Sequence, residues 1–298
     1  MFLFFLAVGA CDCCVGILGD HLQAHSKGGL TKEFNDLVIN DSHDILVLGS
    51  SRALHHYDVS YLSEALGMDV YNAGYKGNGI ILAEGILELV LQHSHPKLIL
   101  YDVEPAFDIY VYGPDDKDIR YLSFLKPYYK EPGIAQIFKD VSPKEWYKVH
   151  SGLYRYNTSI VTMLAERLVG HKMPASRFIP LTGVLQDDSE AYVNTGVAYD
   201  DLKLKYVARI IHRAGSEDIP IAFVASPKYG MADSSELDAI KCICEQNGVA
   251  FLDYYADPEF MSHREWFQEP VHLNATGAKH FSEILAKRIV SLLPSSQN

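Results

Sequence analysis

Two short stretches at opposite ends of the chain carry residue types that could do chemistry together. Gly49-Ser50-Ser51-Arg52 follows an apolar run, Asp44-Ile-Leu-Val-Leu-Gly49. Glycine there lets the chain turn sharply, and a helix after it would offer backbone N–H groups to a developing oxyanion. Far along the chain stands Glu269-Pro-Val-His272-Leu-Asn-Ala-Thr-Gly277. A carboxylate three residues before a histidine, in a loop, can reach back to the imidazole Nδ1. It then fixes the tautomer and stabilises the imidazolium during proton transfer. His272 would take the Ser51 proton through Nε2, which turns a weak hydroxyl into a nucleophile. Arg52 is placed to bind a polar or anionic substrate group, or to pair with Asp102, Glu104 or Asp108. Tyr154-Arg155-Tyr156-Asn157, in a chain with 19 tyrosines, offers aromatic faces that could stack on sugar rings.

The elements that must position these residues alternate. Asp44–Gly49, Met68–Gly74 and Pro96–Asp102 read as buried parallel strands, because each is a short apolar run. Between them, Val59–Leu66 and Ile80–Gln92 have helical spacing, the first stopping at Gly67. The alternation breaks near Phe107 and resumes with a helix over Leu202–Ala214 and a strand over Ile219–Ala225. A helix over Ser234–Asn247, a strand over Val249–Asp253 and a last helix over Ala275–Leu293, capped by Asn274, complete it. This pattern predicts an α/β fold: a three-layer, flavodoxin-like, doubly wound parallel sheet. Residues from about 110 to 199 read as a mainly helical insertion, with pieces around Ile119–Leu125, Ile134–Phe138 and Ile160–Leu168. In such sheets ligands bind beyond the carboxyl ends of the strands, where Ser51 would stand.

Composition narrows the partners. The 298 residues are 48% hydrophobic and 21% charged, ordinary for a globular chain and unlike a disordered, collagen-like or multi-span one. The net charge of −12 gives no basic footprint for nucleic acid and no attraction to an anionic membrane surface. A small or neutral substrate is expected. The five cysteines match no disulfide framework and no zinc spacing, so no metal or cofactor is expected. Met1–Leu18 is almost continuously apolar, borderline for a spanning helix and sufficient for a signal core. It lacks a Lys/Arg flank, and Asp12 sits in its middle, a charge that costs about 2.5–3.5 kcal/mol on insertion scales. The segment 1–27 is expected to be an export signal or single anchor whose basic region lies upstream, ahead of an α/β domain over 28–298. A buried N-terminal helix of a soluble domain is the alternative.

Gly49-Ser50-Ser51 after the first strand, with Glu269-Pro-Val-His272-Leu-Asn and Gly277 near the end, resembles the SGNH (GDSL-like) hydrolase superfamily. Within it, the chain looks like exported bacterial proteins of the polysaccharide O-acetylation and D-alanyl-transfer type. The resemblance spans about Asp44 to Leu293 and leaves 110–199 unmatched. It implies Ser51 as nucleophile, His272 as general base and Glu269 in the place usually held by Asp. It also implies an oxyanion hole from the N–H groups of Ser51 and of Gly74 in Asn72-Ala-Gly74. The family's third motif places an Asn donor after the third strand. Here Asp102-Val103-Glu104-Pro105 puts Glu104 near that position, and an ionised carboxylate cannot donate. Three readings follow: Glu104 is protonated, it faces elsewhere, or another residue such as Asn78 supplies the donor. The implied function is a serine esterase or acyltransferase acting on acyl, chiefly acetyl, esters of a glycan or cell-envelope polymer, outside the cytoplasm. The alternative is a catalytically inactive module of the same fold that binds glycan or a partner.

Overall fold

The computed structural model describes residues 1–111, 122–157, 159–169, 177–186 and 197–293. The chain forms two compact units. One comprises Met1–Asp41, Glu88–His93 and Lys117–Met173; the other Ser42–Leu87, Ser94–Asp116 and Pro174–Asn298.

The second unit is the expected α/β fold. Its sheet contains β1 (Ile45–Gly49), β2 (Val70–Asn72), β3 (Leu98–Asp102), β4 (Ile221–Ala225) and β5 (Ala250–Asp253). All neighbours are parallel, in the order β2-β1-β3-β4-β5, with helices on both sides. Every residue of β1, β3 and β4 is buried, which is why these strands read as unbroken apolar runs. The connections leave β1 and β3 in opposite directions across the sheet, so their carboxyl ends flank the crevice where such folds bind ligands. Gly49 pairs in register with Asp102, so the segments beginning at Ser50 and Val103 leave the sheet side by side.

Local chemistry fixes the helix starts. Gly49 has φ +144°, and a Cβ there would lie 2.8 Å from the Asp102 carbonyl oxygen, so the turn out of β1 requires glycine. Ser50 then caps helix Ser51–His56, its Oγ accepting from the Arg52 N–H at 3.3 Å. Helix Val59–Leu66 ends at Gly67 in the left-handed region (φ 63°), as its spacing predicts. Asn274 caps the last helix, accepting from the N–H groups of Thr276 and Gly277, both at 3.1 Å.

Three expectations need correction. The last helix stops at Ile289 rather than Leu293. There the N–H groups of Ser291 and Leu292 bond back to Arg288 and Ile289, tightening the end into three-residue turns. The stretch around Glu269 and His272 is not a plain loop. It is an antiparallel pair of β6 (Phe267–Glu269) and β7 (His272–Leu273), too short for alternation to show in the sequence. The helix expected over Ser234–Asn247 begins as a tight 3-10 turn and is α-helical only over Asp238–Gln246.

The first unit is helical. Its elements include Phe2–Ala24, Gly29–Asn35, Pro132–Val141, Pro143–Lys148, Gly152–Tyr156 and Ser159–Val169. The pieces expected around Ile134–Phe138 and Ile160–Leu168 lie inside two of these. The piece expected at Ile119–Leu125 falls partly outside the described residues, and Leu122–Phe124 forms a 3-10 turn.

Candidate active site

Ser51 opens its helix just beyond the carboxyl end of β1. The first N–H groups of a helix have no intrahelical acceptor, which leaves the Ser51 amide, next to its own hydroxyl, without one. β7 carries His272 to the same place. The Ser51 hydroxyl and His272 Nε2 are 2.8 Å apart, and His272 Nδ1 is hydrogen-bonded to Glu269 Oε1. With Nδ1–H donated to the carboxylate, Nε2 presents its lone pair to the serine. The hydrogen bond from His272 holds the Glu269 carboxyl below its ordinary range, against the opposing effect of burial. The Glu269 side chain is 49% exposed and that of His272 17%. Solvent therefore weakens the carboxylate's hold on the imidazole relative to a buried acid.

The helix that presents Ser51 also holds the histidine strand. His56 is fully buried, and its Nε2 accepts the Leu273 N–H at 3.0 Å. Its other nitrogen must then carry the ring proton, which it donates to Ser226 Oγ at 2.8 Å. Burial keeps His56 well below its ordinary pKa, with the Arg52 charge adding to the effect. His55, one turn on from Ser51, donates Nδ1–H to the Ile179 carbonyl at 2.7 Å. Its ring stands edge-on to His272 at 5.2 Å, and burial lowers its pKa to about 4. A neutral ring thus lies beside the one that must gain a proton.

Arg52 takes the pairing role. It is fully buried, with Nη1 donating to Glu104 Oε2 at 3.3 Å and Nε lying 3.7 Å from Asp102. Its Nε also donates to Ser226 Oγ at 3.2 Å, and Nη2 donates to the Ser226 carbonyl. Glu104 is therefore the ion-pair partner of Arg52, the orientation in which it faces elsewhere. Beneath it, Lys228 donates to the Tyr255 hydroxyl at 3.0 Å and lies 3.7 Å from Glu236. Burial lowers the Lys228 pKa, and Glu104 and Glu236 oppose that shift.

The two remaining candidates are held by their own surroundings. The Gly74 N–H donates to Asn72 Oδ1 at 3.0 Å. A Cβ at Gly74 would lie 2.9 Å from the Ser50 carbonyl oxygen, so this backbone sits directly against the Ser50–Ser51 turn. Asn78 Nδ2 donates to the Lys76 carbonyl at 2.9 Å, while its buried Oδ1 finds no partner among the described residues.

Sequence reasoning missed His55, His56, Ser226, Lys228 and Arg177. His55 carried a signal, since the position four after Ser51 returns to its side of a helix; His56, at five, did not. Ser226-Pro-Lys228 follows β4 as Ser50-Ser51 follows β1. Arg177 gave none: it lies far along the chain, yet it donates to the Gly74 carbonyl at 3.2 Å and to the Tyr75 hydroxyl at 2.7 Å.

No family model matches the chain, and no curated protein matches it. Among solved structures, it is similar to a catalytic mutant of Axe2, an acetylxylan esterase from Geobacillus stearothermophilus. That match has 12% identity and a TM-score of 0.41, covering 84% of this chain and 93% of the other. A second is the acetyl xylan esterase AlAXEase, with 13% identity and a TM-score of 0.39, covering 83% and 98%.

Proposed function

We propose that the protein is a serine esterase or acyltransferase of the SGNH type, working through Ser51, His272 and Glu269. The observation that carries this reading is the unbroken hydrogen-bonded line from the Ser51 hydroxyl through His272 to Glu269. Ser51 Oγ attacks the ester carbonyl carbon as its proton passes to His272 Nε2. The carbonyl oxygen becomes an oxyanion that the Ser51 N–H at the helix start is placed to meet. As the intermediate collapses, His272 returns the proton to the leaving alcohol oxygen and the acyl group stays on Ser51. Water or a sugar hydroxyl then gives its proton to His272 and takes the acyl group, and His272 passes that proton to Ser51 Oγ as the Ser51 ester bond breaks. Glu269 holds the productive tautomer throughout. The acetyl group, the glycan or cell-envelope acceptor and a place outside the cytoplasm are what the sequence resemblance implies. The apolar N-terminal helix, long enough to cross a membrane, supports that location.

Release of p-nitrophenol from p-nitrophenyl acetate, beside Ser51→Ala and His272→Ala, tests the reading. Loss in both variants supports it; equal rates in all three oppose it. The second reading, a binding module without hydrolysis, is favoured by one observation. The Gly74 N–H is engaged by Asn72 Oδ1 rather than open to an oxyanion.

A further inference from the structure

His55 lies one helical turn after Ser51, on the same side of the helix. Its ring meets that of His272 edge-on, with centroids 5.2 Å apart and planes at 86°. At 2% exposure it is built into the site rather than laid over it. A segment from outside the Ser51, Gly74 and His272 stretches holds it there. The Ile179 carbonyl accepts His55 Nδ1–H at 2.7 Å, and the Ile179 N–H donates to the Leu54 carbonyl at 3.0 Å. On one side of Ile179, Arg177 donates to the Gly74 carbonyl at 3.2 Å and to the Tyr75 hydroxyl at 2.7 Å. On the other, the Leu181 carbonyl accepts the Ala275 N–H at 2.9 Å, just past the His272 strand. Tied at these points, the Ile179 carbonyl keeps its place against the ring.

A carbonyl only accepts, so Nδ1 carries the ring proton and Nε2 keeps a lone pair. Burial holds the ring's pKa at about 4, and this neutral tautomer persists at neutral pH. Nε2 has no hydrogen-bond partner among the described residues and is not sealed from solvent. An acceptor placed this way, in a nearly buried ring, favours a ligand that brings a donor. Lys76 and His272 both disfavour positive charge at this ring, so a neutral hydroxyl fits better than an ammonium group.

We propose that His55 determines specificity: its Nε2 accepts the hydroxyl next to the reacting ester oxygen, so the site selects esters of vicinal diols. This inference rests on the esterase or acyltransferase reading above. His272 Nε2 serves the reacting oxygen, and His55 Nε2 serves its neighbour. Adjacent oxygens of one diol thus meet adjacent imidazoles. In hydrolysis the leaving alcohol takes its proton from His272 while its second hydroxyl stays donated to His55. In transfer an incoming diol is held the same way before one hydroxyl gives its proton to His272. His55 gives up and takes no proton in either direction.

The test gives the full chain ethylene glycol monoacetate and propyl acetate, in which a methyl group replaces the free hydroxyl, and reads kcat/KM for each. Wild type prefers the glycol ester. His55→Asn keeps a donor for the Ile179 carbonyl but has no acceptor at the Nε2 position. Its preference ratio is expected to fall about tenfold, the effect of one hydrogen bond at a nearly buried group. His55→Gln extends an amide oxygen toward the Nε2 position and keeps most of the ratio, although it gives up the Ile179 bond. A purely structural His55 would reverse that order, with Asn the milder change. Both esters are read in one preparation, so the ratio does not depend on the fraction folded, and their intrinsic reactivities cancel between variants. An unchanged ratio in His55→Asn, or a fall in His55→Gln as large as in His55→Asn, would overturn the proposal. Fluorophosphonate labelling of wild-type Ser51 separates the two readings. A labelled Ser51 with equal turnover of the two esters, or with none, overturns the role of His55 alone. An unlabelled Ser51 with no turnover overturns the ester chemistry and this inference with it.

Discussion

At the scale of residues, the roles of Ser51 and His272 are interdependent, so their loss should not add. Ser51→Ala, His272→Ala and the double variant are each expected to lose about 10³-fold or more in kcat, all to nearly the same floor. Glu269→Gln should lose less, about 10- to 100-fold, because this carboxylate is half in solvent. Initial rates with a p-nitrophenyl ester check all four. His56 predicts a different signature. In His56→Phe the buried Leu273 N–H loses its acceptor, a loss of about 1–3 kcal/mol. Urea unfolding should report that destabilisation, and kcat should fall with it as the His272 strand loosens.

At the scale of elements, the β1 turn and the Asn274 cap set where the chemistry happens. Asn274→Ala removes the acceptor for two helix N–H groups and the donor to the Gly183 and Glu265 carbonyls. It should cost about 1–2 kcal/mol in urea unfolding, with a proportionate loss of activity because β7 leads directly into this cap. Most of this frame was legible in the sequence. Buried parallel strands are written as apolar runs, and Gly49, Gly67 and Asn274 mark ends that only such residues accommodate. The β6–β7 pair was not legible, because two- and three-residue strands with Pro270 between them leave no periodicity. The segment 177–186 was hidden for another reason. Its Ile179 and Leu181 carbonyls accept from His55 and from the Ala275 N–H, and contacts of backbone atoms leave no pattern in side-chain identity. Glu104 was legible as an anomaly but not in its outcome, since only the fold brings Arg52 to it.

For the whole molecule, buried histidines tie stability to pH. Burial holds His55 at about 4 and His56 well below its ordinary value, whereas unfolded histidines take a proton near pH 6.5. Between those values the unfolded chain binds more protons, so stability falls as pH drops from about 6.5 toward 4. Asp108 acts in the opposite sense, because burial pushes its carboxyl up to about 7 and folding favours its protonated form. Comparing His55→Gln with wild type cancels that contribution: the urea midpoint of the variant should fall less steeply from pH 7 to pH 4.5. The central claim is that Ser51 becomes covalently acylated. Its most direct test is the intact mass of the full chain after brief mixing with a fluorophosphonate or an activated acetyl ester at neutral pH. The account predicts one adduct per chain, mapped by peptide sequencing to Ser51, absent from Ser51→Ala and slowed in His272→Ala. An unmodified wild type, or an adduct that persists in Ser51→Ala, would contradict it.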